Sequence, residues 1–137
     1  MSTAVRAHRI LGAMTHYQKT SSTDDWLPKL ADGRLGDPIG CYRNPGPEGE
    51  VIGIFADGLA WHEGGQSIEL RFADVSEVTL PRGKESEGLL LDMQDGKQLR
   101  LPVKGQRGRF FDSMEMLRFL DRVMQDLRGE ASRTERV

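Results

Sequence analysis

The chain has a single cysteine, Cys41, among its 137 residues, and a lone thiol closes no intramolecular disulfide. Without a dense His or Asp neighbourhood, Cys41 is also a poor nucleus for a metal site, so a reducing compartment and no metal or cofactor are expected. Long apolar runs are missing: no uncharged stretch approaches the roughly 20 residues a membrane helix needs, and residues 1–10 lack the apolar core of a signal peptide. A cytoplasmic protein is the expectation. Neither sign of charge dominates, since 19 basic residues meet 21 acidic ones for a net charge of -2. That balance disfavours a general nucleic-acid binder and leaves any electrostatic partner to a local patch. There is no Gly-rich phosphate loop ending in Lys-Ser/Thr, no Gly-x-Ser-x-Gly elbow and no repeat of the kind that builds a solenoid.

Glycine, by contrast, is plentiful at 16 residues, which marks a turn-rich chain of a length that suits one domain. Residues 1–37 differ from the rest. Val5, Ile10, Leu11, Met14 and Tyr17 make a loose helical stripe, followed by a polar stretch at 19–25 and Gly-containing turns at Asp32-Gly33 and Leu35-Gly36. This part reads as an N-terminal helix that either straps across the main domain or stays a mobile arm.

From Pro38 the pattern turns to strands, about seven of them by alternation and turn spacing. They are expected at 39–43, 51–55, 59–62, 68–72, 75–80, 89–93 and 98–103. Asp57-Gly58 and Asp95-Gly96 are hairpin signals. Ile68, Leu70 and Phe72 alternate with Glu69 and Arg71, giving one buried face and one wet face. Asp112 is expected to cap a C-terminal helix with Glu115 completing the box and Phe111 stapled onto Met116. Met116, Leu117, Leu120, Val123, Met124 and Leu127 fall on one helical face, with Gly129 as the expected stop and 129–137 as a polar tail. The fold class is therefore α+β, mainly β: a small, strongly bent antiparallel sheet or barrel over 38–128, closed by a helix.

That element order resembles the pleckstrin-homology-like (PH-like) barrel of small bacterial type. The resemblance covers roughly residues 38–128 and rests on the seven strands, on the strand-turn-strand Ile-Phe-Ala-Asp-Gly-Leu-Ala-Trp at 54–61, and on the helix from Phe111. It implies two bent sheets capped by that helix. Lipid-binding members carry basic residues around the loop joining their first two strands. Residues 44–50 here contain Glu48 and Glu50 and no Lys or Arg, so phosphoinositide binding is disfavoured.

The strongest binding lead is the acid-free run at 97–109, with Lys97, Arg100, Lys104, Arg107 and Arg109 around Gly105 and Gly108. Flexible glycines let backbone amides approach an anion, and arginine pairs two oxygens of a phosphate or carboxylate. The same run also reads as ordinary solvated surface. Gly105-Gln-Arg-Gly108 matches the KH clamp loop only weakly, because a strand rather than a helix precedes it. Trp26, in a polar context beside Pro28, is a candidate interface anchor, whereas Trp61 reads as core. His62 and Glu63 are adjacent on a strand and so point to opposite faces, and His8 and His16 lack the spacing of a zinc helix.

Two function classes follow. The first is a non-enzymatic module that recognises a protein or an anionic surface through the 104–109 loop, an open strand edge or the N-terminal strap; a bacterial inhibitor or immunity-type protein is one concrete version. The second is a small hydrolase or transferase in which Cys41 is activated by His62, which requires the two side chains within hydrogen-bond reach in a cleft. Self-association through Trp26 or an edge strand, giving a homodimer, is a third possibility.

Overall fold

Both Asp-Gly pairs lie at chain reversals, but they work by different physics. The computed structural model describes residues 2–13, 17–19, 33–44, 51–63, 65–80, 88–103 and 109–135, with side chains of the last segment described from 112 to 129. Strand β7 (Leu89–Met93) reverses into β8 (Gln98–Leu101) through Gly96 at φ 89°, the left-handed conformation that glycine adopts without steric cost. Gly58 is instead the first residue of β4 (Gly58–Glu63), which follows β3 (Val51–Phe55). What it supplies is missing bulk, because a Cβ there would lie 2.0 Å from the Leu70 carbonyl oxygen.

Among the described residues the strands form two antiparallel sheets. β1 (Tyr17–Lys19), β2 (Pro38–Arg43) and β5 (Gln66–Arg71) join β3 and β4 in the first, whose order is β1-β2-β3-β4-β5, and β6 (Val75–Thr79) joins β7 and β8 in the second, whose order is β6-β7-β8. Among the described residues no strand pairing joins the two, so the expected bent sheet or barrel takes the form of two sheets around a main core, and the chain passes from the first sheet to the second between β5 and β6. The fold is α+β and mainly strand.

The seven expected strands are present, with Phe72 forming a single 3-10 turn (Phe72–Asp74) rather than ending β5. An eighth, β1, pairs Tyr17 with Tyr42 and Lys19 with Gly40. Tyr17 thus belongs to a strand, not to the helical stripe. A bulge between Pro38 and Gly40 shifts the β2 register, which places Ile39 in the same core as Tyr42.

The helix α1 (Thr3–Ile10) is capped by the Ser2 hydroxyl, which accepts from the Val5 N–H at 3.3 Å. Its buried side is Ala7 and Ile10, continued by Leu11, whereas Val5 points to solvent at 38% exposure. The stripe at the start of the chain is therefore rotated from the expected one. α1 packs on the C-terminal helix α2 (Arg109–Glu135), and the joint is held by a two-pronged ion pair from Arg6 to Asp126 at 2.9 and 3.0 Å.

In α2, Met116, Phe119, Leu120, Val123 and Met124 are buried and close the core over Tyr42, Ile54, Trp61, Leu89 and Leu101. Phe119 stands edge-on to Phe72 with centroids 6.0 Å apart, a favoured aromatic geometry. Each such side chain contributes about 1.5–3 kcal/mol through burial. Two expectations about this helix need correction. Asp112 is not its cap, since the helix already begins at Arg109; the carboxylate is buried and accepts the Tyr42 hydroxyl at 2.7 Å. Gly129 does not stop the helix, which runs on to Glu135, because this glycine never enters the left-handed region that ends a helix.

Candidate functional site

Strand β5 is an edge. It pairs with β4 from Gly58↔Arg71 to Glu63↔Gln66, and among the described residues no strand pairs with its other side. The Phe72 N–H donates to the Asp57 carbonyl across the same ladder at 3.0 Å. Antiparallel bonding alternates along a strand, so Ile68 and Leu70 turn their backbone groups to β4, while those of Ser67, Glu69 and Arg71 point outward.

Those outward groups face a groove of about 850 Å³. One wall is Ser67 to Arg71; the other is the β7–β8 turn, with Met93, Gln94, Asp95, Lys97 and Leu99. The walls are tied at one end, where the Gln94 N–H donates to the Asp74 carbonyl at 2.8 Å. Ile68, Leu70, Met93 and Leu99 belong to, or pack against, the main core, so the floor is apolar. The rim is charged and largely self-paired. Arg34 grips Glu69 with two nitrogens, and Lys97 lies 3.9 Å from Asp95. An unpaired edge beside apolar side chains can accept an extended chain by backbone hydrogen bonding.

A second cleft of about 470 Å³ lies between α1, β2 and α2. Its titratable groups are partly committed. His8 Nδ1 is 3.0 Å from the Tyr17 hydroxyl, and Asp126 is held by Arg6. Burial, assisted by Lys19, lowers the His8 pKa. Burial, with a smaller contribution from Cys41, pushes the Tyr17 hydroxyl up to about 12. Both shifts favour the uncharged form of the group.

Of the basic residues singled out in the sequence, Arg100 is exposed on β8, and Lys97 lines the groove with Leu99. Residues 97 and 99 share one face of the hairpin arm and 100 the other, so Lys97 and Arg100 do not form one patch. Arg109 is the first residue of α2. Lys104, Arg107 and Trp26 lie outside the described residues, as does the 45–50 loop.

Cys41 is buried at 3% exposure among Leu35, Phe55 and Ala60 on the far face of the first sheet. In register it aligns with Gly53 and then Ala60, which places His62 two strands across and two residues along, about 12 Å away by ordinary strand spacing. His62 is exposed, and its Nδ1 is 3.4 Å from the Ser67 hydroxyl. Thiol activation by His62 therefore lacks its geometry. Among the described residues no three His, Cys, Asp or Glu side chains are grouped to hold a metal, and no helix is long and apolar enough to cross a membrane.

Sequence reasoning missed the groove. The alternation at 68–72 identified the two faces of β5, but a period of two does not say whether a strand is central or at an edge. No protein-family model matches the chain, and comparison with curated proteins finds no match.

Proposed function

We infer that this protein is a non-enzymatic interaction module that binds another protein along the groove beside β5. The observation that carries this reading is the coincidence of an unpaired strand edge with an apolar floor. An edge of this kind is a liability unless it is covered or used. A PH-like relationship is part of the same proposal: four successive antiparallel strands, β2 to β5, precede three more, β6 to β8, and a closing helix. The added α1 and β1 stand outside that pattern. A cytoplasmic setting fits the single buried thiol. The anionic-surface version has less support, because Lys97 and Arg100 diverge to opposite faces.

The test compares partner capture by wild type, by Ser67→Trp, which adds bulk to an exposed groove residue, and by Arg107→Glu/Arg109→Glu. All three are first matched for folding by circular dichroism. Loss of a specific partner from Ser67→Trp alone is the expected result. Loss of that partner from the double variant alone would move the site to the basic loop and overturn the groove assignment.

A further inference from the structure

We propose that the groove takes one extended segment of a partner protein, added as a sixth strand on β5, with apolar residues at alternate positions and an acidic residue opposite Arg71. This deepens the binding-module reading above and rests on it. Three observations fix the chemistry of the occupant.

The first is room. A strand as long as the six residues of β5 occupies on the order of 1000 Å³, from its rise, strand spacing and sheet thickness. The groove, about 850 Å³ and open to solvent on one side, is of that order and well short of two strands. Its size suits a single chain lying beside β5. The edge of a second copy would bring a whole sheet behind it, and the β7–β8 turn stands in the way, tied back to Asp74 through Gln94. A segment of a partner fits where a second copy does not.

The second is the bonding pattern. Ser67, Glu69 and Arg71 present outward N–H and C=O groups, so an incoming strand meets a donor and an acceptor at every second residue. Its side chains then alternate between the Ile68, Leu70, Met93 and Leu99 side and the charged outer side. Apolar residues are favoured at the inward positions.

The third is charge. On the outer face Arg34 and Glu69 neutralise each other, and at the far wall Lys97 faces Asp95. Among the described residues Arg71 makes no ion pair, and it is exposed at the strand edge. Asp74 is also without an ion pair, but it lies in the 3-10 turn beyond the end of the ladder. A carboxylate on the incoming strand, directly across from Arg71, completes the edge cation that has no ion pair among the described residues.

The experiment uses the full chain and a fluorescent probe peptide of the length of β5, in which valine alternates with threonine and one outward threonine is replaced by aspartate, the replacement being moved along the peptide. Anisotropy reports affinity, and amide hydrogen exchange reports the place. The expected result is binding that slows exchange at Ser67, Glu69 and Arg71. Arg71→Glu then weakens the aspartate probe about fivefold, and a lysine in place of that aspartate restores the loss. Backbone N-methylation of the probe abolishes binding without altering the protein, and Ser67→Pro, which removes that outward N–H together with the hydroxyl beside His62, does the same from the protein side, whereas Ser67→Ala, which removes the hydroxyl alone, keeps binding. Binding that survives N-methylation, or protection elsewhere, would overturn strand addition. If no probe binds while Ser67→Trp still loses its partner, strand addition falls and the binding-module reading stands. If neither is seen, both fall.

Discussion

Outside the groove, Asp112 is a buried carboxylate that accepts the Tyr42 hydroxyl at 2.7 Å. The bond links the first sheet to the first turn of α2, and its neighbours do similar work. The Asn44 amide donates to the Pro102 carbonyl at 2.6 Å, and the Ser113 hydroxyl donates to the Val103 carbonyl at 3.4 Å. A buried acceptor stripped of its donor carries its full desolvation cost, so Tyr42→Phe is expected to lower stability by about 1–3 kcal/mol in urea unfolding; a change within error would show that the bond is dispensable. The role of Asp112 was half legible in the sequence. An acid ahead of an apolar helical stripe is a good cap signal, but three further residues, Arg109 to Phe111, are already helical, which moves Asp112 onto the inner face. The Trp61 indole N–H is the converse case, a buried donor with no acceptor among the described residues.

At the scale of elements, the hairpins and the apolar face of α2 were readable because turn chemistry and a period near 3.6 are local properties. β1 was not: three residues, Tyr-Gln-Lys, are too few to show alternation, and their strand character comes from pairing with β2 more than twenty positions on. The extent of α2 was misjudged for a similar reason. Glycine near the end of an apolar stripe is a frequent stop, yet Gly129 is exposed within a continuing helix and a Cβ there meets nothing within 4 Å. Gly129→Ala is therefore expected to stabilise the protein by about 0.5–1 kcal/mol, read by thermal unfolding. Destabilisation would mean that the helix does end at this glycine. Gly88 has no such freedom, since its φ of 105° and a Cβ position 2.3 Å from the Leu101 carbonyl oxygen leave space for glycine alone.

At the scale of the whole molecule, the two sheets and two helices of the described residues share one main core, and the described N-terminal residues pack on that body. Arg6 and Asp126 lie 120 positions apart and meet in a two-pronged pair. The hydrogen bond from Arg6 is the main cause that holds the Asp126 carboxyl below its ordinary value of 3.8. Such a group binds fewer protons folded than unfolded, so its contribution is present above that ordinary value and is lost as the pH falls through the folded one. Asp126→Asn should consequently melt below wild type at neutral pH, with the gap closing in acid; a gap independent of pH would assign the difference to packing. The groove, too, is a property of the whole. Its residues come from positions 34–35, 67–74 and 93–99, and only the folded arrangement of the two sheets brings them together. The basic run at 97–109 is contiguous in sequence, and alternation along β8 separates Lys97 from Arg100.

The open edge of β5 is what the functional reading stands on, and amide hydrogen exchange on the free protein tests it most directly. Ile68 and Leu70, bonded to β4, should exchange slowly, while Ser67, Glu69 and Arg71 exchange near the rates of unprotected amides. Equal protection along the whole strand would mean that the second edge is already covered, and the groove would then be no binding site.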